Sequence, residues 1–324
     1  MEKKQPRKKY SIGVAVITYK DSRHLERCLP PLLNSPLKPK VLVFNSSSND
    51  GTVELAKKLG AEVFIIPRTE MNHGEARELC RKKLGTDIVV MMTPDAYASD
   101  KYMLGKLIEP ILEGKAAIAY ARQVAHEGAN IISSFGRMFS FPDQSNIRGI
   151  ENANKYGAYT AFCSDACTAY LNKTLDQIGG FRWLLSGEDA VAASMILRKG
   201  YKIAYVAEAV VRHSHNYSPI KEFRRHFDTG MYRTQWHKIL DLGGGGEQTR
   251  GASYALSLLT YVIKKEPLMF PTAFAQLAMG WLGFQFGRIC YHRAPLWLYK
   301  MISPADFFWN STGYKEGKWF DPAK

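Results

Sequence analysis

The sequence predicts an α/β fold with a mostly parallel central sheet flanked by helices, followed by a C-terminal helical region. Short apolar runs alternate with segments of helical periodicity from residue 11 to residue 121, which is the pattern of a doubly wound sheet. The connections between these segments are short, as such sheets require. The apolar run at residues 89–92 ends abruptly at Thr93, Pro94 and Asp95, as a strand buried in a parallel sheet does.

The first half of the chain gives the predicted elements in regular order. Strands are expected at residues 11–18, 40–44, 61–66, 88–92 and 116–121. Helices are expected between them at residues 22–33, 53–59, 75–84 and about 101–112, with Ser22 as an N-cap and Gly60 as a C-cap. The polar turn at residues 45–52 separates the second strand from the second helix.

The second half is less regular. Residues 122–159 show little periodicity and predict a long irregular loop, which in a compact domain is functional or mobile. A strand at 162–171, a turn at 179–181, a helix at 189–198 and short strands at 202–206 and 209–211 follow. A helix rich in aromatic and basic residues is expected at 221–236, and a flexible break at 243–246.

Composition restricts the class of protein and of partner. The chain has 324 residues, of which 46% are hydrophobic and 23% charged, so it is long enough for one large α/β domain with an appendage or for two domains. A net charge of +14 favours an anionic partner, which nucleic acid, acidic phospholipid and a phosphorylated small molecule all satisfy. Five irregularly spaced cysteines favour a reducing compartment. The basic start leads into a strand rather than a signal peptide, so we expect a cytoplasmic protein.

The stretch at residues 268–287 contains no charged residue and allows three interpretations. Its length is just enough for a membrane-spanning helix. Pro271 and two glutamines favour a buried helical hairpin instead. The basic residues Arg288, His292 and Arg293 beside it favour an interfacial helix that lies on the membrane.

Polar clusters follow the apolar segments, and ligands of open α/β sheets bind at the carboxyl ends of the strands. The clusters are Thr18 with Tyr19, the turn at residues 45–52, the segment at 72–77, Asp95, Glu188 with Asp189, and His213 with His215. Each has an ordinary structural explanation when taken singly, such as a helix cap for Asp95 or a surface salt bridge for Arg77. Their order along the chain predicts a common site.

Three of these clusters indicate particular chemistry. Asp95 offers the carboxylate oxygen that a hard divalent cation on a diphosphate prefers. His213 and His215 alternate along a strand, so both imidazoles face the same side and can meet one ion or phosphate. Arg77 suits a phosphate, and the adjacent acids Glu188 and Asp189 begin a helix.

Together these motifs resemble a family 2 glycosyltransferase of the GT-A fold, a Rossmann-like architecture, in the bacterial rhamnosyltransferase-like group. The resemblance runs from about Tyr10 to about Arg233. The segments that carry it are residues 16–19, 45–52, 73–77, 93–96, 162–170, 178–181, 188–189 and 213–218, of which the last two are the most specific.

The resemblance implies an inverting transfer from a nucleotide-diphosphate sugar, assisted by Mg²⁺ or Mn²⁺. Asp189, or else Glu188, would be the general base, because such a displacement needs one base on the acceptor side. The metal would be held by Asp95, with His213 and His215 as further contacts. The acceptor or sugar pocket would include Ser164, Asp165 and Trp183. The donor nucleotide would contact Thr18, Tyr19, Asn45, Ser46, His73, Arg77 and Asp95.

Two departures from the family pattern bear on the donor. Asn45 and Ser46 replace acids that often contact the pyrimidine in relatives, although an Asn or Ser side chain can still hydrogen-bond a uracil or thymine edge. Thr93 replaces the first aspartate of the metal motif, which removes one negative charge from the site. The base identity and the strength of the metal dependence therefore stay open.

The sequence favours an enzyme that moves L-rhamnose from dTDP-L-rhamnose to a growing cell-surface polysaccharide or lipid-linked acceptor. Residues 1–218 would form the catalytic domain, and residues 219–324 a helical region for association with the inner membrane face or for a homodimer. A UDP- or GDP-hexose donor is the alternative within the same mechanism. A nucleotidyltransferase would need a glycine-rich phosphate loop near the N-terminus, and none follows the first predicted strand. A nucleic-acid-binding protein is disfavoured, because the cations are scattered and form no known module.

Overall fold

The computed structural model describes residues 10–243 and 247–320 of the chain. The basic start at residues 1–9 lies outside the described residues, and so do residues 244–246 of the predicted flexible break. The strands are β1 (Ile12–Thr18), β2 (Lys40–Asn45), β3 (Glu62–Ile65), β4 (Ile88–Met92), β5 (Tyr97–Ala98), β6 (Ile118–Val124), β7 (Asn146–Arg148), β8 (Cys167–Leu171) and β9 (Ile203–Arg212).

The helices fall between the strands in the first two thirds of the chain and follow one another after β9. They are α1 (Ser22–Leu33), α2 (Thr52–Lys58), α3 (His73–Leu84), α4 (Met103–Leu112), α5 (Ile131–Ser140), α6 (Ala153–Tyr156), α7 (Asn172–Gln177), α8 (Glu188–Arg198), α9 (Pro219–Gln235), α10 (His237–Leu240), α11 (Glu247–Lys265), α12 (Phe270–Cys290), α13 (Leu296–Ile302), α14 (Asp306–Asn310) and α15 (Thr312–Lys315).

The strands form one mixed sheet in the order β3-β2-β1-β4-β8-β6-β9-β5, with β7 paired to β9. The four strands β3, β2, β1 and β4 are parallel, as predicted, and so are β6 and β9. Strand β8 runs antiparallel to both of its neighbours, β4 and β6. The predicted α/β class is confirmed, but the sheet is less uniformly parallel than the apolar runs suggest.

Helices cover both faces of the sheet, which explains why its central strands are apolar throughout. Side chains of α1, α2 and α4 pack on one face, and those of α3, α7 and α8 on the other. All five residues of β4 are buried. A strand buried on both faces gains hydrophobic stabilisation from every side chain, so its sequence shows no alternation.

The predicted loop at residues 122–159 is largely folded. It contains α5, whose Ile131, Ile132 and Phe135 pack against Leu258 and Val262 of α11. The partner residues lie more than a hundred positions away, so the local pattern did not reveal the helix. The strands predicted at 202–206 and 209–211 form the single strand β9, whose pairing with β6 shifts between Ala121 and Arg122. The strand predicted at 162–171 begins only at Cys167.

The C-terminal helices are built around a close contact between α9 and α12. A Cβ atom added at Gly283 would lie 2.2 Å from the carbonyl oxygen of Phe223, and one at Gly287 would lie 2.1 Å from that of Phe227. Only glycine allows two helix backbones to approach this closely. Beyond α12, the rings of Phe308, Trp309 and Trp319 form a buried aromatic cluster.

No helix within residues 10–243 and 247–320 is both long enough and apolar enough to cross a lipid bilayer. The uncharged stretch at 268–287 lies almost entirely in α12.

Candidate active site

The polar clusters predicted from the sequence meet at one edge of the sheet. Thr18, Asn45 and Asp95 lie at or just beyond the carboxyl ends of β1, β2 and β4. Because β8 runs antiparallel, the residues that precede it, including Asp165, come to the same edge. This edge therefore collects side chains from both directions of the chain.

Asp95, His213 and His215 form a compact cluster with the geometry of a metal site. The Nε2 atoms of His213 and His215 each lie 3.5 Å from Asp95 Oδ2 and 3.2 Å from one another. One ligand atom from each residue lies within 4.8 Å of the others. A carboxylate with two imidazoles is a donor set that suits a divalent transition metal such as Mn²⁺.

The protonation states at this cluster also fit a cation. Burial by itself raises the pKa of Asp95, but the hydrogen bond and charge of His213, with the charge of His215, hold that pKa well below its usual value. Burial lowers the pKa of His215 to about 4. At neutral pH the cluster thus offers a carboxylate and a neutral imidazole with a free lone pair.

The second part of the site is a group of three acids around Arg77. Its Nε donates to Asp165 Oδ2 at 2.5 Å, and its Nη1 lies 2.8 Å from Glu188 Oε1. The sequence predicts a phosphate contact for Arg77, but the side chain is only 5% exposed and its guanidinium already has two carboxylates. In this structure Arg77 holds the acids in place instead of facing a donor.

Asp189 lies beside this ion pair and differs from its neighbour Glu188. Its carboxylate accepts the backbone N–H groups of Asp165, at 3.3 Å, and Ala190, at 2.7 Å. Burial, with the nearby charges of Asp165 and Glu188, raises the pKa of Asp189 to about 7. Burial also opposes ionisation of Glu188, but Arg77 and His73 bring its pKa below the ordinary value. Asp189 thus has the pKa of a general base, whereas Glu188 is a buried counter-ion.

The predicted nucleotide contacts divide into buried and accessible groups. Thr18, Asn45 and Ser46 are at most 2% exposed. Thr18 Oγ1 accepts from Asn45 Nδ2 at 3.1 Å, and Ser46 Oγ accepts from Arg68 Nη1 at 2.9 Å. These side chains use their polar groups inside the protein and form the floor under Tyr19, which is partly exposed.

Arg68 is a candidate that the sequence prediction missed. Its guanidinium carbon lies 3.6 Å from the ring centre of Tyr19 and 4.8 Å from that of Phe307. Arg68 stands directly after Pro67 and the third predicted strand, so its position at the sheet edge is the signal that could have found it. Phe307, from α14, gave no such signal, because only the fold brings it to His73, at 5.0 Å between ring centres.

The remaining predicted residues have the following surroundings. Ser164 accepts a hydrogen bond from Gln123 Nε2 at 2.8 Å. Trp183, predicted to line the sugar pocket, packs against Phe308 with 4.6 Å between ring centres, so it belongs to the C-terminal aromatic cluster. The sequence predicts that His73 contacts the nucleotide. Burial lowers the pKa of His73 to about 4, so its ring is neutral at pH 7.

An open cleft of about 730 Å³ adjoins the metal-type cluster. Its lining includes Asp95, His215, Tyr97, Tyr217, Arg27 and Arg212. Acidic, basic and aromatic groups together suit a polar substrate with both hydroxyl and phosphate groups.

Comparison with known proteins fixes the family. The sequence profile of glycosyl transferase family 2 matches residues 13–179, from β1 to the end of α7 and the turn after it. The chain belongs to glycosyl transferase family 2. This family 2 enzyme is therefore a glycosyltransferase, as the sequence motifs predict.

Two similar relatives come from Salmonella. The chain is 32% identical to the O-antigen chain rhamnosyltransferase RfbN of Salmonella typhimurium over 284 residues, which cover 86% of this chain and 89% of that protein. It is 30% identical to the O-antigen chain rhamnosyltransferase WbaN of Salmonella anatum over 283 residues, with the same coverage of 86% and 89%.

Solved structures with a similar fold have much lower sequence identity. The mannosyltransferase PcManGT from Pyrobaculum calidifontis, in complex with GDP-Man and Mn²⁺, has a TM-score of 0.55 at 16% identity, covering 86% of this chain and 85% of that one. TarS 1–349 of S. aureus has a TM-score of 0.53 at 15% identity, covering 96% and 93%. These likenesses agree with the predicted GT-A fold and its C-terminal helical region.

Proposed function

We propose that this glycosyltransferase transfers L-rhamnose from dTDP-L-rhamnose to a growing cell-surface polysaccharide or its lipid-linked precursor. The observation that carries the proposal is the 32% identity, over 86% of the chain, to an O-antigen chain rhamnosyltransferase. The proposed base Asp189 and the metal-type cluster support the same reaction class, because transfer needs an activated acceptor and a stabilised leaving group.

In this proposal Asp95, His213 and His215 hold Mg²⁺ or Mn²⁺. The ion supplies positive charge for the diphosphate that leaves. The proposal is supported by the compact donor set of the three side chains and by the Mn²⁺ in the complex of the similarly folded mannosyltransferase.

Asp189 is the proposed base. Its carboxylate takes the proton of the acceptor hydroxyl while that oxygen bonds to the anomeric carbon of the sugar. The bond from the same carbon to the diphosphate oxygen breaks, and the nucleoside diphosphate leaves from the opposite face. The configuration therefore inverts. One carboxylate suffices for this step, because the leaving diphosphate needs no proton from a second acid.

Tyr19 and Arg68 are the proposed accessible contacts for the nucleotide. They form a stacked pair above the buried side chains of Thr18, Asn45 and Ser46. A planar cation beside a ring at the end of β1 suits a pyrimidine base and a phosphate together. His73 and the edge of Phe307 would complete this part of the pocket.

The C-terminal region, residues 219–324, is proposed to place the enzyme at the inner face of the cell membrane. Residues 267–305 contain no acidic residue and include Arg288, Arg293 and Lys300. Phe274, Trp281 and Ile289 are exposed on one face of α12. Apolar and basic residues together favour an anionic lipid surface. A homodimer contact is the competing use of this surface.

A donor panel tests the proposed reaction. The purified protein would be incubated with dTDP-, UDP- and GDP-sugars, with and without Mn²⁺ or Mg²⁺, and free nucleoside diphosphate would be measured. We expect release from dTDP-L-rhamnose that requires the metal and is lost in Asp95→Ala. Release from a UDP- or GDP-hexose alone would refute the rhamnose assignment but retain the mechanism. Release that is unaffected by metal removal or by Asp95→Ala would refute the metal assignment.

A further inference from the structure

Gln123, on β6, lies between the two halves of the site and is only 2% exposed. Its Oε1 accepts from Arg137 Nη1 at 2.5 Å and lies 2.9 Å from His213 Nδ1. Its Nε2 donates to Ser164 Oγ at 2.8 Å. One buried side chain thus contacts a cation, a proposed metal ligand and the loop before β8.

Arg137 determines which way the Gln123 amide points. A guanidinium has only donors, so the amide atom that meets it must be the oxygen. The same oxygen faces His213 Nδ1, which must therefore carry a proton. Nε2 is then the ring nitrogen that can offer a lone pair to a metal. Nε2 is the atom that faces Asp95 Oδ2 and His215 Nε2.

We propose that Gln123, oriented by Arg137, is a positioning residue that fixes the His213 tautomer and presents its Nε2 lone pair to the metal. This inference rests on the proposed metal site at Asp95, His213 and His215. Hydrogen bonds to the second nitrogen of a metal-binding histidine set both its tautomer and its orientation. Neither Gln123 nor Arg137 would contact the metal.

The amide nitrogen of Gln123 connects it to the segment next to the proposed base, Asp189. Ser164 precedes Asp165, whose backbone N–H donates to Asp189 Oδ2 at 3.3 Å. Asp165 in turn accepts from Arg77. A chain of contacts through Gln123 therefore connects the metal-type cluster to the proposed base.

The tautomer can be measured without any metal. Long-range ¹H–¹⁵N spectra of histidine-labelled protein, with the ring of His213 assigned through His213→Ala, distinguish a proton on Nδ1 from one on Nε2. We expect a proton on Nδ1 in the wild type. Gln123→Met, which has similar volume but no acceptor, should shift the ring towards the form that is protonated on Nε2 alone. A wild-type ring without a proton on Nδ1, or an unchanged ring in folded Gln123→Met, would overturn the proposal.

Mn²⁺ affinity gives the second readout, by electron paramagnetic resonance of the free ion. We expect Gln123→Met to bind Mn²⁺ about 10- to 100-fold more weakly. Gln123→Glu should bind at least as tightly as the wild type, because its carboxylate accepts from the same two donors. If Gln123→Met fails to fold, Gln123→Glu alone still tests the proposal. Weaker Mn²⁺ binding by Gln123→Glu than by the wild type would contradict it. Gln235→Leu, which loses the hydrogen bond from Gln235 Nε2 to the carbonyl oxygen of Trp319 in the C-terminal region, should leave Mn²⁺ affinity unchanged.

Failure of this proposal is separable from failure of the proposed function. A wild type that binds no Mn²⁺ would refute the metal site, and the tautomer spectra would still decide the role of Gln123. Equal Mn²⁺ affinities of the wild type and folded Gln123→Met would refute the positioning role alone.

Discussion

The adjacent acids Glu188 and Asp189 acquire different properties from their surroundings. Arg77 neutralises Glu188, while the carboxylate of Asp189 accepts two backbone N–H groups and has a pKa of about 7. A base acts in its unprotonated form, so transfer should be slow below this pKa, rise through about pH 7 and level off above it. The dependence of kcat on pH in the purified enzyme measures this.

Replacement of the base tests the same assignment directly. Asp189→Asn keeps the shape of the side chain but removes the acceptor of the proton, so kcat should fall by about 10²- to 10⁴-fold. Donor affinity should change little, because the proposed nucleotide contacts are elsewhere. A rise in KM for the donor with normal kcat would instead place Asp189 in donor binding.

Arg77 should matter for stability as well as for the site. Arg77→Met leaves Asp165 and Glu188 buried without their cation, which costs about 3–5 kcal/mol of folding free energy. Urea unfolding measures this loss. Lys115→Met, which removes an exposed pair with Glu113, is the matched control and should cost far less, because water screens an exposed pair. Similar values for the two variants would show that the buried pair adds no special stability.

The sequence grouped several residues that the fold brings together, but it did not reveal their contacts. The alternation of His213 and His215 and the position of Asp95 after β4 are local features, and the fold brings these residues together. Burial is not local, so the charge of Arg77 suggested a phosphate although the structure gives it two acids. Arg68 and Gln123 gave no motif, because their partners come from α14, α5 and the segments after β1 and β9.

At the level of elements, the contact between α9 and α12 depends on glycine. Gly287→Ala would place a Cβ atom 2.1 Å from the carbonyl oxygen of Phe227, so the two helices must separate. We expect a loss of about 1–3 kcal/mol in unfolding free energy, the usual range for overpacking. Gly105→Ala in α4, where nothing lies within 4 Å of the added atom, should instead stabilise the protein by about 0.5–1 kcal/mol. Thermal and urea unfolding of the two variants check both signs.

The elements that the sequence predicted well are those whose signal is contained in one segment. Strands β1, β2 and β4 are apolar because helices cover both faces, and their bounds were close to the predicted ones. The direction of β8 and the existence of α5 were not apparent. Both depend on contacts with distant segments, β4 and β6 for the strand and α11 for the helix.

At the scale of the whole molecule, the exposed apolar face of α12 and the net charge of +14 predict salt-sensitive binding to anionic membranes. Phe274→Ser with Trp281→Ser should lower partitioning onto phosphatidylglycerol vesicles by about tenfold or more. Burial of each ring in the lipid contributes roughly 1.5–3 kcal/mol to binding. Sedimentation with vesicles measures the bound fraction.

The control for this experiment is Tyr102→Ser, which removes an exposed ring from the start of α4. It should leave vesicle binding unchanged. If the double variant binds vesicles normally but changes from dimer to monomer in analytical ultracentrifugation, the face is a contact between two copies of the enzyme.

Helix α12 also reaches inward. The side chain of Gln276, on its buried side, donates to the carbonyl oxygen of Tyr217, and the ring of Tyr217 stacks on His215 with 5.0 Å between ring centres. A displacement of α12 would therefore reach Tyr217 and His215 through these two contacts. The helix whose exposed face is proposed to meet the membrane is thus connected to the side chains proposed to hold the metal.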